Sequence, residues 1–266
     1  MAICRAGAAA EKLPLYQYIR HISKPVEVGP PRVLPVPAFN FIEGGAHAVG
    51  RNNLDLQEFM VVPQKKSFLE NINIANKVFQ KLQKIITESY GEQGEMGDEG
   101  GFAPRISKAE QALFLLKNAI GNEDAKIAID AAASQFYRDE KYMLEGKEST
   151  RTVLVDFYRD LVDRFNIISI EDPFAEEDWE GFKLISNIKD KKSNILIIGD
   201  DLTTTNVKRI KEAHSKNACN GVILKINQIG TVSETIEASN LAKSYGWKTI
   251  VSHRSGETMD TFIADL

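Results

Sequence analysis

The feature that most constrains this chain is an apolar run that ends in a charged or imidazole side chain and recurs five times. The runs end at Asp130, Glu171, Asp200, Lys225 and His253, which by subtraction are 41, 29, 25 and 28 residues apart. Polar segments that could form helices separate them. This spacing is typical of βα units whose strands are buried on both faces. The sequence therefore predicts an α/β fold with parallel strands.

Seven candidate strands can be identified, whereas a closed barrel of alternating strands and helices needs eight. They lie near residues 36, 57, 127, 167, 195, 222 and 248. A polar loop at 43–55 joins the first two, and because it leaves no room for a helix we expect this pair to be antiparallel. The fold class predicted is α/β, a (β/α)8 TIM-like barrel truncated to about seven strands.

The remaining segments are assigned from breakers and periodicity. Residues 1–34 are predicted to be a lead-in helix and a connector, and residues 35–266 an incomplete barrel domain. A long amphipathic helix is expected over 67–89, followed by a glycine-rich acidic loop at 91–104. Ser107 is predicted to cap the next helix in a capping box with Glu110.

Bulk properties exclude several classes of partner. The 266 residues carry a net charge of −4, too small to indicate a nucleic-acid partner or an acidic membrane surface. No stretch approaches the length of a membrane span. Two cysteines, Cys4 and Cys219, form no disulfide framework, which favours a reducing compartment and a cytoplasmic location.

Three carboxylates end consecutive strands, at Asp130, Glu171 and Asp200. The carboxyl ends of parallel strands meet at the mouth of a barrel, and hard cations such as Mg²⁺ prefer oxygen ligands. The pattern therefore indicates a magnesium site. The alternative interpretation is that these acids cap helices or lie in solvated turns.

A lysine and an imidazole end the last two runs. Lys225 follows an apolar strand, where an amine is costly unless it is paired or functional. Nearby cations would lower its pKa towards that of a general base, although a lysine reaching to solvent from the strand end fits as well. His253, within the cluster Ser252 to Ser255, offers donors to an oxyanion; an ordinary polar loop is the alternative.

Two further candidates lie in glycine-rich loops. Glu99 stands between glycines in Gly97-Asp-Glu-Gly-Gly101, where the backbone can approach a ligand closely. An acidic loop suits an acid/base carboxylate better than a phosphate cradle. His47 lies in Gly44-Gly-Ala-His-Ala-Val-Gly50. A flexible surface turn is the alternative for both loops.

Several long motifs resemble, in order, those of the enolase family, and the resemblance covers essentially the whole chain. The matching segments are Gly97–Pro104, Ser169–Phe174, Gly199–Thr203, Leu224–Gly230 and Ser252–Thr258.

The resemblance implies a hydro-lyase, the reversible Mg²⁺-dependent dehydration of 2-phosphoglycerate to phosphoenolpyruvate in glycolysis. It implies that Lys225 takes the carbon-bound proton and that Glu99 protonates the departing hydroxyl. The implied Mg²⁺ ligands are Asp130, Glu171 and Asp200. The residues implied to bind substrate are His47, Glu58, Glu171, Asp200, Ser252, His253, Arg254 and Ser255.

The chain also departs from the family pattern. The family has a smaller domain before the barrel and a lysine-bearing eighth strand, and we expect both to be absent. Where family members resemble Asn-Gly-Gly-Ser-His, this chain has Glu43-Gly-Gly-Ala-His47.

These departures leave two functional interpretations open. The first is an enolase whose truncated barrel is a weak catalyst on its own. The second is a non-catalytic enolase-like fragment used as a binding or scaffold protein. The resemblance implies a homodimer, although the missing domain argues against one here.

Overall fold

The computed structural model describes residues 1–23, 34–91, 95–186 and 195–266, so most of the predicted connector lies outside the described residues. The helices within these ranges are α1 (Ala2–Ala10), α2 (Leu15–Ile22), α3 (Phe68–Tyr90), α4 (Ala109–Ile120), α5 (Arg151–Arg164), α6 (Trp179–Ser186), α7 (Val207–Ser215), α8 (Ile226–Ile229), α9 (Val232–Ser244) and α10 (Phe262–Asp265). The strands are β1 (Phe39–Glu43), β2 (Glu58–Pro63), β3 (Ala125–Asp130), β4 (Tyr137–Arg138), β5 (Lys141–Leu144), β6 (Lys147–Ser149), β7 (Ile167–Glu171), β8 (Leu196–Gly199), β9 (Gly221–Leu224) and β10 (Lys248–Val251).

The chain divides into two compact units. One comprises Val33–Ile197, and the other combines Met1–Arg32 with Ile198–Leu266. All seven predicted strands are present, as β1, β2, β3, β7, β8, β9 and β10. The predicted boundary between residues 34 and 35 stays a prediction.

The Val33–Ile197 unit is built on four paired strands. β1 pairs with β2 and β2 with β3, both antiparallel, whereas β3 pairs with β7 in parallel. The antiparallel first pair is therefore confirmed. Phe59 and Val61 of β2 and Ile129 of β3 are fully buried between the sheet and its helices.

Helix α3 covers this sheet because its apolar residues recur every four positions. Val78, Leu82 and Ile86 are buried and form one stripe on a helix that packs against α4 and β2. Ser67 caps the amino end by accepting a hydrogen bond from the Glu70 N–H at 3.4 Å. Gly91 ends the helix in the left-handed conformation, with φ of 72°. The helix predicted over residues 67–89 is confirmed.

The predicted start of the next helix is wrong. Helix α4 begins at Ala109, and its N-cap is Lys108 rather than Ser107. Gln111 decides this start, because its Oε1 accepts hydrogen bonds from the N–H groups of Ser107 at 3.2 Å and Lys108 at 3.1 Å. The Gln111 side chain supplies the acceptor that the prediction had assigned to Glu110.

A small antiparallel sheet of β4, β5 and β6, which the sequence did not predict, is anchored by one buried carboxylate. The Tyr142 hydroxyl donates to Asp178 Oδ2 at 2.7 Å and accepts from the Ala175 N–H at 3.0 Å. Arg151 Nε donates to both Asp178 oxygens, at 2.7 and 2.8 Å. Burial, and then the bond to Asp178, raises the pKa of Tyr142 far above its usual range. This tyrosine therefore keeps its proton, and with it the bond to Asp178, above the pH at which a free tyrosine ionises.

We expect Tyr142→Phe to lower the free energy of unfolding by about 1–3 kcal/mol, because it leaves the buried Ala175 N–H without its acceptor and removes one of the donors to Asp178. Urea denaturation measures the change. Tyr137→Phe, which removes a half-buried hydroxyl from the same sheet, should change stability by less than about 0.5 kcal/mol. Equal effects of the two variants would contradict the anchoring role.

The second unit contains three parallel strands. β8 pairs with β9, and β9 with β10, and helix α9 packs against β9, β10 and α7. Thr231 caps α9 by accepting from the Glu234 N–H at 3.1 Å. No helix among the described residues is long and apolar enough to cross a membrane.

The two ends of the chain meet within this unit. Cys4, Ile19 and Phe262 are buried in a common cluster. Arg5 donates two hydrogen bonds to Asp260, at 2.7 and 2.6 Å, and its guanidinium lies 5.3 Å from the centre of the Phe262 ring. The arginine therefore joins α1 to the segment that precedes α10.

We expect this ion pair to support the fold only above strongly acidic pH. The bond from Arg5, and then the Phe262 N–H, lower the pKa of Asp260 to about 2, below its unfolded value of about 3.9. A lowered pKa contributes stability above the unfolded value, and that contribution is lost as pH falls towards 2. A pair this exposed contributes little in total.

Arg5→Gln should raise the pKa of Asp260 towards, but not fully to, its unfolded value, since the Phe262 N–H still donates to this carboxylate at 2.8 Å. Carbon-detected NMR titration of the carboxyl group measures the change. Arg20→Gln, an exposed arginine of α2, should leave the titration unaltered. Identical midpoints in wild type and Arg5→Gln would refute the assignment.

Candidate active site

Four acidic residues lie in one row across the sheet of the Val33–Ile197 unit. Glu43 is the register partner of Glu58, Glu58 of Asp130, and Asp130 of Glu171. Three of them end their strands, whereas Glu58 begins β2, because β2 runs in the opposite direction. Residues directly opposite one another in a sheet share a face. Four carboxylates therefore lie side by side at one end of these strands.

Asp130 and Glu171, two of the predicted magnesium ligands, are neighbours in this row. Asp130 Oδ1 accepts from the Ala132 N–H at 2.8 Å, and Oδ2 accepts from Gln57 Nε2 at 3.0 Å. These bonds fix the orientation of the carboxylate. Two adjacent carboxylates are the oxygen-rich donor set that suits a hard divalent cation.

An imidazole stands between two carboxylates beside the row. His47 Nδ1 lies 3.4 Å from Glu58 Oε1, and His47 Nε2 lies 3.8 Å from Glu99 Oε1. One ligand atom from each of the three residues falls within 4.8 Å of the others. All three side chains are largely buried. This arrangement can pass a proton between carboxylates or hold a cation, and its residues differ from the predicted magnesium ligands.

The loop that carries His47 is fastened at several points. The residue lies in a short 3₁₀ helix, Gly45–Ala48, whose Ala46 N–H donates to Gln135 Oε1 at 2.8 Å. The His47 carbonyl accepts from the Asp98 N–H at 3.0 Å and from Arg51 at 3.0 Å. The loop of His47 is therefore bonded directly to the loop of Glu99.

Sequence reasoning missed two residues of this site. Asn40 Nδ2 lies 3.5 Å from Glu99 Oε2, and Glu43 accepts hydrogen bonds from the loop around Glu99. A signal for Glu43 was present, since the apolar run Phe39–Ile42 ends in this acid as the other runs end in Asp130 and Glu171.

In the second unit, Lys225 and Asp200 form an ion pair. Lys225 Nζ donates to Asp200 Oδ2, and Gln228 Nε2 lies 3.3 Å from Asp200 Oδ1. The Lys225 N–H donates to Thr205 Oγ1 at 2.9 Å, and that hydroxyl donates to Gln228 at 3.0 Å. The amine is therefore paired, which satisfies the condition for a lysine at the end of a buried strand.

The residues predicted to bind an oxyanion follow the neighbouring strand. Leu224 and Val251 are register partners, and the Ser252 N–H donates to the Leu224 carbonyl at 3.1 Å. Lys225 and Ser252 therefore directly follow neighbouring strands, at the same end of the sheet in this unit. His253, Arg254 and Ser255 lie in the exposed loop beyond.

The predicted residues thus fall into two groups, one in each unit. The Val33–Ile197 unit holds His47, Glu58, Glu99, Asp130 and Glu171, and the second unit holds Asp200, Lys225, Ser252, His253, Arg254 and Ser255. Within each unit the members lie at the strand ends that carry function in α/β barrels.

Strand-end carboxylates and a strand-end lysine on alternating βα units define an α/β protein of the TIM-barrel class. The family model described as the enolase C-terminal TIM barrel domain matches residues 31–266. The chain is 46% identical over 272 residues to an enolase of Methanocaldococcus jannaschii, and the match covers the whole chain and 61% of that relative. The chain belongs to the enolase family.

Proposed function

We propose that the protein catalyses the reversible dehydration of 2-phosphoglycerate to phosphoenolpyruvate, as a cytoplasmic step of glycolysis. The observation that carries the proposal is the meeting of His47, Glu58 and Glu99 within 4.8 Å, beside a row of strand-end carboxylates. The chain is similar to the enolase of Methanocaldococcus jannaschii and spans 61% of that protein's length.

In this reaction Lys225 takes the proton from the carbon next to the substrate carboxylate. The electron pair left on that carbon forms the new carbon–carbon double bond as the bond to the neighbouring hydroxyl breaks. Glu99 gives its proton to the departing hydroxyl, which leaves as water. Glu58 holds the acid side of the site, and Arg254 and Ser255 bind the phosphate. His47 and His253 line the pocket, and Ser252 also binds substrate.

Mg²⁺ is the metal that this donor set suits. Asp130 and Glu171 are adjacent in register and offer hard oxygen ligands. The resemblance of the Gly199–Thr203 motif to that of the enolase family implies Asp200 as a third ligand. A bound Mg²⁺ would stabilise the negative charge that develops on the substrate carboxylate when its α-proton leaves. The residues present therefore fit the ion that the family implies.

We expect Lys225→Ala and Glu99→Gln to separate the two proton transfers. Lys225→Ala should abolish exchange of the carbon-bound proton with solvent deuterium, whereas Glu99→Gln should spare that exchange and block loss of water. Each variant should lower turnover by about 10²–10⁴-fold. Phosphoenolpyruvate formation and NMR of the recovered 2-phosphoglycerate measure the two effects.

Matched controls are available for both variants. Lys248→Ala removes an exposed lysine from β10, and Glu95→Gln neutralises an exposed carboxylate that precedes the Gly97–Gly101 segment. Both should keep wild-type turnover. Full activity in Lys225→Ala and Glu99→Gln would overturn the assigned roles, and no activity in the wild-type chain with excess Mg²⁺ would overturn the proposed reaction.

We expect Asp130→Asn and Glu171→Gln each to weaken Mg²⁺ binding by at least roughly 10–100-fold, because each removes one charged oxygen ligand. Titration calorimetry with Mg²⁺ alone measures this without any assay of activity. Asp163→Asn, an exposed acid on α5, is the control of equal charge change. Wild-type affinity in both strand-end variants would exclude these residues as ligands.

A further inference from the structure

Glu43 is a fully buried acid for which neither the sequence motifs nor the proposed reaction assigns a role. Its side chain and backbone together expose 0% of their surface at the end of β1. Burial raises the pKa of this carboxyl group, while the N–H groups of Glu99 and Gly101 and the charge of His47 oppose the rise. A buried carboxyl group persists only where hydrogen bonds replace its lost water.

The replacement bonds come from the loop that carries the proposed acid. Glu43 Oε2 accepts from the backbone N–H of Glu99 at 3.1 Å, and Oε1 accepts from the backbone N–H of Gly101. One carboxylate therefore holds the loop on both sides of Gly100, whose φ is 88°. Hydrogen bonds to a charged acceptor are roughly twice as strong as neutral ones.

Two glycines of the loop make room for this carboxylate. A Cβ at Gly97 would lie 2.1 Å from Glu43 Oε2, and a Cβ at Gly101 would lie 2.8 Å from Oε1. Any side chain at Gly97 would meet the carboxylate itself. The spacing of the glycines in the loop therefore matches the position of Glu43.

The backbone of Glu43 is itself held firmly. Its N–H donates to the Phe102 carbonyl at 2.9 Å, and its carbonyl accepts from Asn52 Nδ2 at 2.7 Å. Glu43 also pairs in register with Glu58. A rigid strand end thus presents two acceptors to the loop, which is the support that a catalytic side chain on a loop needs.

We propose that Glu43 is a positioning residue that fixes the Gly97–Gly101 loop and so keeps the Glu99 carboxylate beside His47. Its effect on water loss rests on the proposed function, whereas its hold on the loop does not. Glu43 acts through the backbone of the loop and touches no reacting atom.

The test is Glu43→Gln, which keeps the shape of the side chain but turns one of its two acceptors into a donor that faces an N–H. Amide hydrogen exchange at Glu99 and Gly101 should accelerate at least tenfold, and the Gly101 amide proton should shift upfield in NMR spectra. Amides of the sheet ladder, such as that of Ile127, whose N–H donates to the Asn166 carbonyl at 3.0 Å, should keep their protection. Unchanged exchange in the loop, or equal acceleration in the ladder, would overturn the proposal.

Two further variants test whether the effect of Glu43→Gln comes from the loss of its hydrogen bonds to the loop. Gly97→Ala displaces the same carboxylate from the side of the loop and should accelerate the same two amides, so a misfolded Glu43→Gln would not end the test. Glu95→Gln, an exposed acid just before the loop, should leave both amides as in wild type. Wild-type exchange in Gly97→Ala would also overturn the proposal.

Measurements of kcat and KM distinguish a failure of this proposal from a failure of the proposed function. In an active chain, Glu43→Gln should lower kcat for water loss at least tenfold, with KM nearly unchanged and exchange of the carbon-bound proton retained. Loop amides that accelerate without loss of kcat would overturn the positioning role. If even the wild-type chain forms no phosphoenolpyruvate, the proposed function fails, and the amide exchange alone decides whether Glu43 holds the loop.

Discussion

The repulsion between carboxylates at neighbouring strand ends is the constraint on which this site depends. Glu43, Glu58, Asp130 and Glu171 are successive register partners across four strands. Two like charges 4 Å apart repel by about 4 kcal/mol at the effective dielectric constant of a protein surface. The fold is stable only if each charge in the row has its own means of compensation, and these means differ from residue to residue.

The compensation that each carboxylate receives indicates what it can do. Glu43 is bonded by two backbone N–H groups, which suits a fixed structural anchor. Glu58 faces the imidazole of His47, whose Nδ1 lies 3.4 Å from Glu58 Oε1. Asp130 is oriented by a backbone N–H and a side-chain amide, and its oxygens are of the hard kind that a divalent cation prefers. One row of identical charges thus supports three kinds of chemistry.

What could be predicted from the sequence follows from how local each signal is. The seven strands were predictable because buried strands require continuous apolar runs, and the strand-end acids followed from where those runs stop. The sheet of β4–β6 was missed because its strands are two to four residues long and largely polar. Glu43 accepts its bonds from a loop 56 residues further along the chain, and no local pattern specifies that pairing. The start of α4 was misplaced because a single side chain, Gln111, sets it.

The reversed direction of β2 explains why an imidazole lies at this edge. β1 ends and β2 begins at the same end of the sheet, so the loop that joins them, which carries His47, lies at that end as well. A bulge completes the arrangement, because the register shifts between Asn40 and Ile42 and leaves Phe41 as the extra residue. Without that shift Glu43 would stand opposite Gln57, and the acid would turn to the other face of the sheet.

The bulged residue itself is used in the same site. The Phe41 carbonyl accepts from the Phe102 N–H at 2.8 Å, directly after the glycine-rich loop. The bulged residue Phe41 thus bonds to the residue that follows the Gly97–Gly101 loop. The register shift at Phe41 also places Glu43 opposite the middle of that loop. A single inserted residue in an edge strand therefore sets both contacts that hold Glu99 beside His47.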